Sequence, residues 1–320
     1  LDQFTPNQLS LDMFSADELM DNGNLPVYYY GYDYKGDPVN GARVSFDEFL
    51  NDTDESGNFT RRISPFEPIY TAGYIQDKFF FDDIVFNVGV RVSRYDANQE
   101  VLKDKYSLLP VRTAQQVDPS LNPNALLDIN TGQYSHPSNI GENFVVYANS
   151  ITDQNQITGY RDGDNWYDAT GLPITDPSVL NLGSGVIPFL EDPDHVSKPN
   201  GGLTGSAFED YTPEVMIEPR ISFNFPISDQ AMFFAHYDIL TQRPQAMSRM
   251  NPYDFLYIAQ RASNGDFQNP NLKMERTIDY EVGFKQALTE QSALQISAFY
   301  KNLKDMVQQE RVNYAYPISY

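Results

Sequence analysis

Three stretches of the chain alternate apolar and polar residues with a period of two, break briefly, and then alternate again. They run from Pro68 to Asp96, from Glu214 to Thr241 and from Glu275 to Lys304. In the first, Phe86, Val88, Val90 and Val92 share one row, and Asn87, Gly89, Arg91 and Ser93 share the other. In the second, Ile221, Phe223 and Phe225 oppose Arg220, Ser222 and Asn224, and Phe233, Ala235, Tyr237 and Ile239 oppose a mixed row with His236 and Asp238. In the third, Ile278, Tyr280, Val282 and Phe284 oppose Thr277, Asp279, Glu281, Gly283 and Lys285, and Leu294, Ile296, Ala298 and Tyr300 oppose Gln295, Ser297 and Lys301. The arm from Ile69 to Asp77 has apolar residues in both rows, so its facing is ambiguous. Period two over this length predicts half-buried strands rather than helices.

Each arm has roughly the 9–11 residues that a tilted strand needs to cross a bilayer. The breaks, Phe79 to Asp83, Pro226 to Gln230 and Ala287 to Gln291, are short and acidic, as tight hairpin turns are. The intervening segments, 97–213 and 242–274, are long and rich in Pro, Gly, Asn, Asp and Ser, as at 118–124, 192–194 and 199–202. A long structureless stretch is suspect inside a compact domain. Short turns at one end and long loops at the other are the habit of outer-membrane barrels. The predicted fold is all-β, a transmembrane antiparallel β-barrel with long extracellular loops. The three hairpins, 68–96, 214–241 and 275–304, supply about six strands, so the barrel is expected to be partial. Residues 1–64 read as an extracellular loop region, with an aromatic run at 28–34 and a polar run at 51–58, and 65–320 as the barrel part.

Composition narrows the classes. Aromatic residues make up 14% of the chain, with 22 Tyr and 21 Phe, which excludes disorder and suits strands and the aromatic girdles of a membrane barrel. The formal charge of −22 repels phosphate, so no nucleic-acid partner is expected. With no cysteine there is neither a disulfide framework nor a thiolate metal site nor a thiol nucleophile. No apolar run approaches the ~18 residues of a membrane helix, which says nothing of a barrel, whose strands alternate. The start, Leu1-Asp2-Gln3, has no Met and no signal peptide, so the true N-terminus is expected upstream.

Several stretches resemble the TonB-dependent receptors of the Bacteroidota and related phyla: 74–83 followed by 87–96, then 218–229, 269–284 and 297–307, together with the loop Gly159 to Gly171. Their shared order is more specific than any one of them, and the resemblance covers most of 65–320. It implies a barrel of about 22 strands around an N-terminal plug, importing ligands with energy passed on by TonB. Neither a plug nor a TonB box stands in these residues, so the chain is expected to be an internal piece of a longer protein. The implied partners are outer-membrane lipid, TonB through the missing N-terminal part, and a surface substrate-binding lipoprotein.

Candidate chemistry is sparse. Asp162, Asp164 and Asp168 suggest an oxygen-ligand calcium loop, although Pro173 stands where an EF-hand needs a glutamate. Asp52, Asp54, Ser56 and Gly57 begin the same pattern, and Ile63 ends it. The default reading of both is a solvated acidic turn, and no other cofactor is expected. Trp166, Tyr167, Tyr28, Tyr29 and Tyr30 could stack on sugars or peptides at an outer mouth, or else pack within loops. Arg91, Arg220, Glu281 and Lys285 fall in the inward rows and are expected to pair across strands or to meet the plug. His136, His195 and His236 have neither metal spacing nor a triad partner, and no nucleophile or phosphate motif is present, so no enzyme is expected. The leading function is import of a bulky nutrient (oligosaccharide, oligopeptide or metal chelate) across the outer membrane. A transport-inactive scaffold barrel in a larger assembly and a secreted all-β binding protein are the alternatives.

Overall fold

The computed structural model describes residues 5–24, 29–41, 43–117, 136–244, 248–258 and 267–316. Tyr28 and the Pro-rich run at 118–124 lie outside the described residues. Six long strands, β1 (Ile69–Phe81), β2 (Ile84–Asp96), β3 (Glu214–Ser228), β4 (Ala231–Gln242), β5 (Glu275–Thr289) and β6 (Ser292–Lys304), form one antiparallel sheet in chain order. Each hairpin closes through two residues, Asp82-Asp83, Asp229-Gln230 and Glu290-Gln291. Asp82 sits at φ 49°, a left-handed conformation that Asp tolerates better than most side chains. Bulges next to the second and third turns let them close, and the Ala287 amide donates to Gln230 O at 2.7 Å to tie these two turns together.

The register sorts the two faces of the sheet. One row across it reads Phe79, Phe86, Phe223, Ala235, Val282 and Ala298, and the next reads Val88, Ile221, Tyr237, Tyr280 and Tyr300. Rings meet along these rows, Phe79–Phe86 at 5.2 Å and Tyr237–Tyr280 at 4.9 Å between centroids. Although apolar, this face is uncovered: Ile217 is 64% exposed, Ile296 62% and Tyr300 64%. A soluble sandwich would bury such a face, so its natural cover is lipid. On β1, Ile75, Phe79 and Phe81 join the apolar face while Tyr70, Tyr74 and Phe80 take the other, which explains the ambiguous pattern of that arm.

The opposite face carries paired polar groups beside rings such as Tyr74, Phe80 and Phe299. Lys301 meets Asp279 at 2.9 Å, Nε2 of His236 lies 3.7 Å from Glu281, and the Asn87 amide donates to Ser222 at 3.1 Å. Glu218, 2% exposed, accepts from the Ser93 hydroxyl at 2.5 Å and from the Thr241 hydroxyl and amide at 2.8 and 3.0 Å. Arg91 adds an ion pair to Glu218 at 3.6 Å, so this buried carboxylate is fully matched.

Topology places every long connection at the end of the sheet away from the two-residue turns. The segment 97–213 is not the irregular loop its composition suggests. It folds a five-stranded sheet, in the order Pro173–Ile174, Asn165–Asp168, Ile157–Asp162, Val145–Ala148 and Ile187–Pro188. Glu100–Leu102 pairs with Phe208–Asp210 beside it. These strands are two to six residues long, too short for alternation to reveal. Segments 5–64, 97–213 and 248–258 then share one hydrophobic core, in which Met20, Phe46, Phe49 and Ile63 pack with Leu108, Leu190 and Phe208 and with Tyr253 and Phe255. Tyr95, Val101, Tyr211 and Met274 seal this cap onto the sheet.

Candidate functional site

The cap is held by two buried arginines. Arg61, 1% exposed, donates to the carbonyls of Phe49 (3.1 Å) and Leu50 (3.0 Å), to Asn200 Oδ1 (3.1 Å) and to both carboxylate oxygens of Asp17 (3.2 Å each). Its guanidinium lies 4.2 Å from the Phe59 ring centroid. Arg161 donates to the Tyr147 hydroxyl at 2.9 Å and Gly163 O at 3.0 Å, pairs with Asp104, and stacks on Tyr106 at 4.5 Å. Burial pushes the Tyr147 hydroxyl above its ordinary pKa and keeps it neutral. Gln99 acts as a third tie. Its amide donates to Pro270 O at 3.1 Å and to Ser248 O, and its oxygen accepts from the Met250 amide at 2.9 Å.

The carboxylates of the candidate calcium loops have other work. The turns Asp33 to Asp37, Asp54 to Asn58 and Asp168 to Leu172 share one construction. In each, an Asp Oδ1 accepts from the amides two and four residues ahead, at 2.8–3.0 Å. A glycine follows three residues after the Asp with φ of 90°, 82° and 87° respectively, a conformation only Gly adopts freely. Hydrogen bonds, led by the Thr170 hydroxyl, hold Asp168 below the usual carboxylate pKa. Asp164 accepts from the Tyr106 hydroxyl at 2.7 Å and pairs with Lys105 at 2.9 Å, and Asp162 is exposed on the hairpin tip. Asp162, Asp164 and Asp168 therefore do not converge on a cation. Among the described residues no group of three or more His, Asp or Glu could hold a metal ion. At Asp54 and Asp168 the carboxylate closes its own turn.

The aromatic candidates divide. Trp166 is not presented at a mouth: it is 7% exposed and caged by Tyr147 (4.9 Å), Tyr106 (5.2 Å) and Tyr314 (6.2 Å). Tyr167 is half-buried against Phe144. Tyr29 gives its hydroxyl to Arg61 O at 2.7 Å and meets the Tyr253 hydroxyl at 2.8 Å, a core role, whereas Tyr28 lies outside the described residues. Tyr30 differs, since it lines a partly open cavity of about 50 Å³ with Phe46, Phe66, Ser64, Glu100 and Met250. Arg61, Arg161 and Gln99 escape sequence reasoning because their partners lie up to 171 residues away.

Two surfaces emerge, a polar sheet face lined by charge pairs and a folded cap with a small aromatic-walled cavity. Comparison with the curated proteins finds no match. The family model described as TonB dependent receptor-like, beta-barrel matches residues 2–319, nearly the whole chain. The chain belongs to the TonB-dependent receptor β-barrel family.

Proposed function

We propose that the chain forms part of the wall and the extracellular cap of an outer-membrane receptor of the Bacteroidota type that imports a bulky nutrient: an oligosaccharide, an oligopeptide or a metal chelate. The observation that carries this reading is the two-faced sheet. Its apolar face exposes Val88, Val92, Ile217, Ile221, Tyr280, Ile296 and Tyr300, and its polar face pairs charges where water and passing ligand would be. A secreted sandwich would bury the bare face against a second sheet. The cap stands on the end with long connections, where an outside loop region belongs. In this reading TonB drives the cycle through the N-terminal part of the protein, and a surface lipoprotein delivers substrate to the cap.

The test is inactivation of the full-length gene in its host, followed by uptake of radiolabelled oligosaccharides, oligopeptides and metal chelates with and without a protonophore. Loss of energy-dependent uptake of one class supports import. Unchanged uptake of every class, with the protein present in the outer membrane, refutes import and leaves the scaffold barrel.

A further inference from the structure

The apolar face of the sheet ends in charge at the cap rim. Along β6 this face runs Leu294, Ile296, Ala298, Tyr300, Asn302 and Lys304, and Tyr280, Ile278 and Arg276 of β5 stand beside the last three. Arg276 and Lys304 are direct partners in the register, two cations side by side on adjacent strands. Like charges directly opposite one another destabilise a strand pair, so a counter-charge is called for. Among the described residues the chain supplies none, since neither side chain forms an ion pair or a hydrogen bond. Glu275 lies in the other row and accepts from the Val307 amide at 3.3 Å. By contrast Arg94, at the rim of the same face on β2, is matched by Asp96 at 2.9 Å. In a chain with 44 acids against 22 Lys and Arg, an unmatched pair of cations is the exception. Their depth is that of a headgroup. From Leu294 to Lys304 the strand rises about 34 Å, and a tilt near ~40° leaves about 26 Å of height, close to the ~25 Å of a barrel's apolar band.

We infer that Arg276 and Lys304 form a docking site for the phosphate of an anionic lipid in the leaflet around the cap end of the barrel, with the acyl chains of that lipid lying along Tyr300, Tyr280 and Ile296. Cross-strand partners have Cβ atoms about 5 Å apart, so both side chains can grip one phosphate. The guanidinium fork matches phosphate oxygens in two places, and the ammonium adds a compact point charge. A phosphate between them turns the repulsion of the pair into attraction. The two cations open sideways onto a face whose cover is lipid, so the anion that reaches them is one held in the membrane by its own chains. The rows below fit that occupant: Tyr280 and Tyr300 are 47% and 64% exposed, and Ile296 is 62% exposed. This inference rests on the membrane reading of the sheet and on the outward cap proposed above.

The experiment titrates the purified full-length receptor in detergent with lipid and counts the lipid retained by native mass spectrometry. The probes are lipid A with its phosphates, the same lipid dephosphorylated, and inorganic phosphate as a competitor. Phosphorylated lipid A should bind best and weaken with salt. Arg276→Gln and Lys304→Gln should each cost it about fivefold in affinity, the scale of one cation beside an anionic headgroup, and the double variant should lose most of the preference for phosphate. Lys285→Gln makes the same charge change on the polar face near the turns and should leave the preference intact. Heat-modifiable gel migration confirms that each variant is folded. Equal binding of the two lipids, full displacement of the lipid by inorganic phosphate, or an unchanged preference in the folded double variant would each overturn the site. Protease treatment of intact cells reads the orientation separately. A cap cleaved from outside, with no preference for phosphorylated lipid, sinks the site alone. A preference for phosphorylated lipid with the cap protected on intact cells sinks the outward orientation alone.

Discussion

Replacing Arg61 by alanine removes the buried hub on which the cap converges. The side chain is 1% exposed and makes five hydrogen bonds that join segments 5–24, 46–51 and 200. The Leu50 carbonyl keeps a donor in the Asn200 amide at 3.2 Å, but the Phe49 carbonyl loses its partner. Asp17, a third exposed, loses its ion pair and keeps the Tyr257 hydroxyl at 2.7 Å. One orphaned buried carbonyl costs about 1–3 kcal/mol, and breaking a buried charge pair costs about 3–5 kcal/mol. Because Asp17 can reach water, the lower part of that range applies, and the total loss is about 4–6 kcal/mol. Arg61 stands at φ 46°, so Arg61→Asn separates the backbone requirement from the contacts: it tolerates that conformation yet lacks the guanidinium. Limited proteolysis of the full-length protein in bilayers should show both variants cleaved within 5–64 and 97–213 while heat-modifiable migration of the barrel is unchanged. Wild-type resistance in the cap of Arg61→Ala would refute the idea that these segments form one cooperative unit.

Three further outcomes follow from the geometry. Val90 lies on the apolar face between Ile75 and Pro219, and Asn87 on the polar face beside Ser222, so Val90→Arg should cost roughly 2–4 kcal/mol of barrel stability and Asn87→Arg far less, read as folded yield in bilayers. A methyl group added at Gly283 would lie 2.2 Å from the Phe234 ring, so Gly283→Ala should destabilise by about 1–3 kcal/mol, with Phe234→Leu restoring part of the loss in a double-mutant cycle. Asp168 has a lowered pKa, so its contribution to the turn is complete above 3.8 and fades as pH falls through the lowered value; amide exchange of 168–172 should speed up there, and Asp168→Asn should abolish that pH dependence while keeping the turn.

Five of the six strands were legible in the sequence because a run of alternating residues leaves few other structures open, and the register places Val88, Val90 and Val92 together as the pattern implies. The cap was not legible. Its strands are too short to show a period, and its core draws Phe46, Leu190 and Tyr253 from segments far apart in the chain. Trp166 shows the same limit from the side of function: a ring in a polar, glycine-rich stretch looks available, but Tyr106 and Tyr314, which enclose it, lie 60 and more residues away in sequence. The acidic turns stayed open between two readings for a local reason, since calcium loops and Asp-capped turns use the same residue types, and the amides that face Asp54 and Asp168 are set by the backbone.

The shared core of the cap sets an order of assembly. The Tyr29–Tyr253 and Asp17–Tyr257 hydrogen bonds span 224 and 240 residues, and closing a loop of that size in a free chain carries a large entropic cost before any contact rewards it. The three hairpins are local, with partners on either side of two-residue turns, and they form first on that ground. Once β1 to β5 are side by side, the ends of 5–64, 97–213 and 248–258 are already gathered at one rim, and the remaining search is short. The cap is thus a late product that takes its speed from the sheet, and a chain whose cap has not closed would expose Phe46, Phe208 and Phe255.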